Sequence, residues 1–200
     1  MITHLSINNL KLHDHTDLDL NGLTILTGMN GMGKSTVIQS LILLRQSFMM
    51  NDLDAGLNLK GDLCDAGISG ELACQASREH TLNIDMKFAE QADLNFSFEY
   101  PDNIMDTMLP GAEDNETSKA VLSKYSLFNG KFQYLSAFRF GPQKSYNRDT
   151  SLVVTKKQIS KSMGQCEYAV HFLEQYKNLH IPIEELAIID EEDITPDYRL

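Results

Sequence analysis

The fold of this chain is decided by nine consecutive residues, Gly28-Met29-Asn30-Gly31-Met32-Gly33-Lys34-Ser35-Thr36. They match the phosphate-binding loop pattern G-x-x-x-x-G-K-[ST] at every specified position. The β-branched run of residues 23–27 precedes them, and a helical stretch from residue 34 to about residue 50 follows. Strand, glycine loop and helix in this order direct backbone N–H groups at the phosphates of a nucleotide.

Each residue type in this loop has a chemical reason. Glycines lack Cβ, so the backbone can take positive φ and approach phosphate oxygens closely. Lys34 supplies a compact charge for the β- and γ-phosphates and is the predicted catalytic lysine, while Ser35 offers a hydroxyl ligand to Mg²⁺. We therefore expect ATP and Mg²⁺ as ligands. The predicted nucleotide-binding residues are Gly28, Met29, Asn30, Gly31, Met32, Gly33, Lys34, Ser35 and Thr36.

Composition limits the function classes. Two hundred residues, 42% of them hydrophobic, are enough for one domain with a core. No apolar run is long enough to span a bilayer, and the N-terminus lacks signal-peptide features. The net charge of −11 argues against a broad nucleic-acid-binding surface, so we expect nucleic acid contact only through another segment or partner. Three cysteines without metal spacing predict reduced thiols in a cytoplasmic protein. No contact with a membrane is expected, since no apolar run is long enough to span one.

Hydrophobic periodicity predicts the remaining elements. Period-two alternation predicts strands over residues 2–7, 17–20, 81–88, 94–98 and 132–140, with a hairpin turn at Asn21-Gly22. Residues 101–120, with two prolines and many polar side chains, are predicted to be a mobile insertion. A helix is predicted from residue 167 to about residue 178, with Tyr168, Phe172 and Tyr176 on one side.

Residues 1 to about 45 resemble the N-terminus of the ABC/SMC/RecF branch of P-loop ATPases. The shared features are an initial strand, an Asn-rich turn and the form G-x-N-G-x-G-K-S-T, in which Asn30 is typical of that branch. More narrowly, the chain is similar to bacterial AAA-family ATPases grouped with the OLD (overcoming lysogenization defect) nucleases and with antiphage-defence ATPases. The motifs that carry this narrower similarity are Tyr134-Leu135-Ser136-Ala137-Phe138-Arg139-Phe140-Gly141-Pro142 and Gly164-Gln165-Cys166-Glu167-Tyr168-Ala169-Val170.

The resemblance implies an ATP-driven homodimer, or a larger ATPase and effector assembly, with two nucleotides held between two heads. It makes Gln143, which lies 109 residues after Lys34, a candidate for the glutamine that senses Mg²⁺ and the γ-phosphate. An ordinary polar loop residue is the alternative interpretation of Gln143. The resemblance also places Lys11 and His13 where such ATPases approach the nucleotide from the first turn.

Hydrolysis needs a carboxylate near Mg²⁺. The run Leu186-Ala187-Ile188-Ile189-Asp190-Glu191 has the form of a Walker B strand, so Asp190 and Glu191 are candidate catalytic residues. Ser162-Met163-Gly164-Gln165 echoes a signature motif but lacks its double glycine, and no histidine follows Asp190. Two interpretations remain open: residues 1–200 are a single ATPase head, or they are the N-terminal part of one, such as a truncated product or one piece of a split head.

The sequence thus predicts an α/β P-loop NTPase fold with a mixed sheet and an antiparallel β lobe of residues 1–22 and about 70–100, forming an incomplete ABC-ATPase-like head. The predicted function is a Mg-ATP-binding ATPase head, hydrolysing ATP on dimerisation, in a DNA-related or antiphage-defence system. The alternative is a non-catalytic nucleotide-binding module, or half of an ATPase that lacks the Walker B and signature motifs. A small-molecule kinase is disfavoured because antiparallel strands and an acidic insertion follow the loop.

Overall fold

The computed structural model describes residues 1–89, 92–112, 118–137, 141–161 and 164–179. The chain forms two compact units, Met1–Phe132 and Gln133–Leu200. The strands are β1 (Ile2–Leu10), β2 (His13–Asp19), β3 (Gly56–Asn58), β4 (Thr81–Phe88), β5 (Ala92–Glu99) and β6 (Met108–Pro110). The α-helices are α1 (Lys34–Met50), α2 (Lys119–Leu122) and α3 (Ala169–Tyr176).

The first unit is built on a four-stranded antiparallel sheet in the order β2-β1-β4-β5. The alternation that predicted β4 is reproduced, because Leu82, Ile84 and Met86 are fully buried while the residues between them are half-buried. One face of the sheet therefore lines the core and the other carries polar side chains. This confirms the predicted antiparallel lobe.

Helix α1 packs on the core and has the predicted bounds. It begins directly after Gly33 and ends at Met50, where Asn51 takes the left-handed conformation that commonly closes a helix. Its buried stripe includes Leu43, Leu44 and Phe48. The last turns of α1 thus anchor the helix, while its first residues remain near the surface.

Arg45 of α1 is an unusual core residue, being only 9% exposed. Its guanidinium donates hydrogen bonds to the carbonyl oxygens of Leu127 (2.5 Å) and Asn129 (2.9 Å) and lies 4.8 Å from the centre of the Phe132 ring. Burial lowers the pKa of Arg45. The side chain ties α1 to the 127–132 segment through backbone acceptors.

A second, two-stranded antiparallel sheet pairs β3 with β6. Leu57 and Leu109 form one of its pairs, and both are fully buried. The middle of the predicted insertion, residues 108–110, therefore pairs with β3 and places Leu109 in the core. Mobility elsewhere in residues 101–120 stays a prediction, and residues 113–117 lie outside the described part of the chain.

Two predicted strands do not form in the described residues. Residues 24–29 have no regular secondary structure, and Leu23 and Ile25 are 80% and 71% exposed. Residues 132–136 likewise form no strand, and residues 138–140 lie outside the described part. The physical reason is that a strand needs hydrogen-bonded neighbours, which an apolar run alone does not specify. Every strand pair that the structure describes is antiparallel, so the parallel component of the predicted mixed sheet is not observed there.

The second unit contains α3 and one turn of π-helix, Ser151–Thr155. The predicted helix of residues 167–178 is confirmed in its central part, and the rings of Phe172 and Tyr176 lie 4.6 Å apart as the helical spacing predicted. Buried His171 accepts the backbone N–H of Asp149 at Nδ1, at 3.2 Å. Residues 162–163 and 180–200 are outside the described part.

All three cysteines carry free thiols. Burial raises the pKa of Cys64 to about 11, against the opposing effect of nearby Lys11. At neutral pH the thiol therefore stays protonated and is a weak nucleophile. Among the described residues, no helix combines the length and apolar character needed to cross a membrane.

We predict that Leu44→Ala lowers the free energy of unfolding by roughly 2–5 kcal/mol, because it removes fully buried methyl groups and leaves a cavity. Ile38→Ala on the same helix is the control, since Ile38 is 47% exposed, and a loss below about 1 kcal/mol is expected there. Urea denaturation followed by circular dichroism measures both. Equal losses for the two variants would contradict the described burial of α1.

Candidate functional site

The glycines of residues 28–36 have the backbone conformation that the pattern predicts. Gly28, Gly31 and Gly33 have φ values of 141°, 82° and 82°. A Cβ at Gly31 would meet no atom within 4 Å, so glycine is favoured there by its φ angle and not by crowding. The loop therefore curls tightly in front of α1.

Lys34, the first residue of α1, folds its side chain back over this loop. Its ammonium group donates hydrogen bonds to the carbonyl oxygens of Gly28 (2.7 Å) and Met29 (2.5 Å), and the residue is half-buried. The Lys34 side chain thus reaches from the end of the loop back to its first two residues. An anion in the loop would meet this ammonium directly, and charge-assisted bonds are stronger than bonds to neutral carbonyls.

The start of α1 lacks the usual capping groups. Within the described residues no side chain caps it, and its first turn contains no acidic residue. The carbonyl of Gly33 accepts the N–H groups of Thr36 (2.9 Å) and Val37 (3.3 Å). The N–H groups of Lys34 and Ser35 precede these bonds and point out of the helix, where the helix dipole favours an anion.

A pocket of about 300 Å³ opens at this point. One wall is the glycine loop and the first turn of α1, and the other is the turn between β1 and β2. The lining residues are Lys11, Leu12, Asn30, Gly31, Met32, Gly33, Lys34, Ser35 and Thr36. The volume is at the small end of the range for ligand sites. Two cationic residues from different elements, Lys11 and Lys34, line it.

Asn9 fixes the turn that forms the second wall. This buried residue has a φ of 59°. Its amide group donates to the carbonyl oxygens of Glu79 (2.8 Å) and Thr81 (3.0 Å), and its side-chain oxygen accepts the N–H of Cys74 (2.9 Å). The Tyr100 hydroxyl donates to the Asn9 carbonyl at 2.6 Å. A network with every amide atom paired holds the turn in one conformation.

Lys11 is held by two further bonds. Its N–H donates to the carbonyl of Leu72 (2.6 Å), and its ammonium donates to the side-chain oxygen of Gln39 on α1 (3.1 Å). The neighbouring Leu12 is 66% exposed and lines the pocket. The sequence alone predicted no site role for Leu12, Gln39 or Asn9. The available signals were the Asn-rich turn, to which Asn9 belongs, and the position of Leu12 between Lys11 and His13.

His13, the first residue of β2, touches the loop itself. Its Nε2 lies 3.0 Å from the carbonyl oxygen of Gly33, and its Nδ1 lies 2.8 Å from the hydroxyl of Thr16. The structure therefore brings Lys11 and His13 to the same loop as Lys34 and Ser35.

The donor set fits a polyphosphate with its metal ion. The loop offers backbone N–H groups and the Lys34 ammonium, Lys11 lines the opposite wall, and Ser35 offers one hydroxyl. Mg²⁺ takes most of its ligands from water and substrate phosphates, so a single protein hydroxyl is sufficient. In the part of the chain that the structure describes, no group of three or more His, Cys, Asp and Glu side chains could hold a metal ion.

The other predicted site residues belong to the second unit or lie outside the described residues. Gln143 is exposed in the Gln133–Leu200 unit, where its N–H donates to the Tyr146 hydroxyl at 2.9 Å. Asp190 and Glu191 lie outside the described residues. Their catalytic roles, like the sensing role of Gln143, remain predictions.

The two internal motifs that carry the narrower resemblance contact each other within the second unit. Gly164 has a φ of 65°, and its carbonyl accepts the N–H of Ser136 at 2.8 Å. A Cβ at Gly164 would lie 2.7 Å from a ring carbon of Tyr134 and 2.8 Å from the backbone nitrogen of Ser136. Glycine is therefore required both by conformation and by close approach.

Comparison with known proteins identifies the family of this chain. A family model described as AAA ATPase domain matches residues 1–194. A search of curated proteins finds no match. Members of this family are ATPases of the P-loop fold that typically bind ATP with Mg²⁺. Because the match spans nearly the whole chain, this chain belongs to the AAA ATPase domain family.

Proposed function

We propose that this chain binds Mg-ATP at residues 28–36 and hydrolyses it as an ATPase head when two heads associate. The observation that carries the proposal is the position of the Lys34 ammonium, which bridges the carbonyls of Gly28 and Met29 at the start of α1. The partners that the described residues offer to this charge are neutral carbonyl oxygens. A γ-phosphate would replace weaker partners with stronger ones.

Each loop residue has a role in this proposal. Lys34 binds the β- and γ-phosphates, and Ser35 donates its hydroxyl oxygen to Mg²⁺. The backbone of residues 28–33 and the first turn of α1, including Thr36, present N–H groups to the phosphates. Lys11 supplies a second cation from the opposite wall, and Gln143 senses the metal and γ-phosphate. ATP with its Mg²⁺ is strongly anionic, so two lysines in one pocket favour it over neutral ligands.

We place this ATPase in a DNA-related or antiphage-defence system. The support is the similarity of residues 134–142 and 164–170 to ATPases of that group, and these motifs contact each other through Gly164. The partner is a second copy of the chain or a larger effector assembly. Since the net charge is −11, nucleic acid would be contacted through another segment or partner. Free thiols at all three cysteines favour the cytoplasm as its compartment.

A non-catalytic nucleotide-binding module is the second candidate function. It is favoured by Ser162-Met163-Gly164-Gln165, which lacks the double glycine of a signature motif. The two candidates share the binding site and differ in turnover. Kinetics therefore separates them.

We predict that Lys34→Ala weakens Mg-ATP binding at least about tenfold, because bonds to a charged group contribute about 1.5–3 kcal/mol. The melting temperature should be nearly unchanged, since the side chain lies at the surface and outside the core cluster. Isothermal titration calorimetry measures the affinity. Lys87→Ala is the control, because Lys87 is an exposed lysine on β4, away from the pocket lining. Unchanged affinity in Lys34→Ala would contradict the proposed site.

We predict that the chain hydrolyses ATP and that Asp190→Asn and Glu191→Gln each lower kcat about 100-fold or more, because they remove a metal-binding or water-activating carboxylate. The affinity for Mg-ATP should change little. Steady-state phosphate release measures turnover, with Asp193→Asn as a neighbouring acidic control. Binding without turnover in the unmodified chain would instead establish the non-catalytic alternative, or a half-site completed by another segment.

We predict that Mg-ATP converts the 22.5 kDa chain into a species of twice that mass in the slow-turnover variant Glu191→Gln. Two heads that share nucleotides associate only while the nucleotide is bound, so slowing hydrolysis accumulates the dimer. Sedimentation velocity with and without Mg-ATP measures the mass. A single 22.5 kDa species at saturating Mg-ATP would exclude nucleotide-driven dimerisation of this chain.

A further inference from the structure

We infer that His13 is a positioning residue that holds the phosphate loop in its binding conformation through the carbonyl of Gly33, and that the Thr16 hydroxyl orients the imidazole for this contact. The imidazole lies at the start of β2 and is half-buried. It spans from the Thr16 hydroxyl (2.8 Å) to the last glycine of the loop (3.0 Å). It thereby connects the antiparallel lobe to the loop.

The direction of both hydrogen bonds follows from the acceptor. A carbonyl oxygen cannot donate, so Nε2 must carry the proton that binds Gly33. In the neutral imidazole Nδ1 is then an acceptor, and the Thr16 hydroxyl must donate to it. Thr16 lies on the same strand, three residues away, and its hydroxyl orients the ring, while the carbonyl of Gly33 fixes the tautomer.

The bond to Gly33 orients the neighbouring N–H group. The peptide between Gly33 and Lys34 is trans and planar, so its C=O and the N–H of Lys34 point in opposite directions. The carbonyl is held on one side by His13 and by the N–H groups of Thr36 and Val37. The Lys34 N–H is therefore held on the other side, towards the opening in front of α1 where an anion binds.

The space around Gly33 shows how closely the loop packs against the His13 ring. A Cβ there would lie 2.5 Å from Nε2 of His13 and 3.1 Å from its Cε1. The φ of 82° also disfavours any side chain. Glycine is thus needed both for the turn and for contact with the ring.

The imidazole is itself held by a rigid support. His13 pairs with Leu10 in the β1–β2 ladder, next to the turn that the hydrogen bonds of Asn9 hold in place. Because the imidazole is fixed on the sheet, its contact with Gly33 fixes the position of the loop relative to the antiparallel lobe. For nucleotide affinity this role of His13 rests on the proposed function, whereas its contact with Gly33 is observed independently of that function.

The bond can be observed directly by NMR. The sequence contains two Gly-Lys pairs, Gly33-Lys34 and Gly130-Lys131. A sample with ¹³C-carbonyl glycine and ¹⁵N-lysine therefore gives two carbonyl-correlated amide signals, of which the second is an internal reference. We expect His13→Ala to displace the Gly33-Lys34 signal and leave the Gly130-Lys131 signal in place, because a carbonyl loses its hydrogen-bond donor.

Mg-ATP affinity of the same variants tests the positioning role. We expect His13→Ala to bind about tenfold more weakly, and His13→Gln to remain near the unmodified chain in both affinity and NMR signal, because its amide can donate to Gly33. Thr16→Val should give an intermediate loss, since the ring remains but loses the hydroxyl partner that orients it. His15→Ala is the control, because exposed His15 on the same strand bonds to Asn8 and Asp17 instead.

Three results would overturn the inference. They are an unmoved Gly33-Lys34 signal in His13→Ala, unchanged Mg-ATP affinity in that variant, or equal displacement and equal weakening in His13→Ala and His13→Gln. If His13→Ala fails to fold, both NMR signals move. The test then rests on His13→Gln, which should stay near the unmodified chain in NMR signal and Mg-ATP affinity, and on Thr16→Val, which should lose part of that affinity. If the unmodified chain binds no Mg-ATP, the proposed function fails, while the NMR comparison still decides whether His13 holds the loop.

Discussion

The carbonyl oxygen of Gly33 is the point on which the arrangement of the loop, the helix and the sheet depends. It accepts the first N–H groups of α1 from Thr36 and Val37 and lies 3.0 Å from Nε2 of His13. One backbone group thus starts the helix, ends the glycine loop and contacts the antiparallel lobe. Because a peptide plane is rigid, fixing this oxygen also fixes the Lys34 N–H at the mouth of the loop.

The buried side chains that anchor α1 and the proposed ligand site lie towards opposite ends of the helix. Leu43, Leu44 and Phe48 lie in the core cluster, and Arg45 binds backbone carbonyls beneath the surface. The N-terminal end holds Lys34 and a loop whose Met29 and Met32 are 78% and 66% exposed. A helix anchored at one end presents its other end with little conformational freedom, which reduces the entropy cost of binding an anion there.

Much of the lobe was predictable because its signals are local. The bounds of α1 follow from the loop before it and the Met50-Asn51 end, and β4 follows from a clean alternation over residues 81–88. The run of residues 23–27 shows the limit of such signals. Its composition is that of a strand, yet strand formation depends on neighbours elsewhere in the chain, and residues 24–27 have no strand partner among the described residues.

The sequence by itself predicts which residues form the proposed phosphate loop, because glycines, a lysine and a hydroxyl at fixed spacing have a chemistry that needs no distant partner. It also determined the family-level conclusion, since the match over residues 1–194 is a property of the sequence. Only the tertiary structure decided that Lys11 and Leu12 form the opposite wall of the pocket and that His13 meets Gly33. Those contacts depend on the Asn9 network, whose partners Cys74, Glu79, Thr81 and Tyr100 are distant in sequence and meet only when the sheet folds.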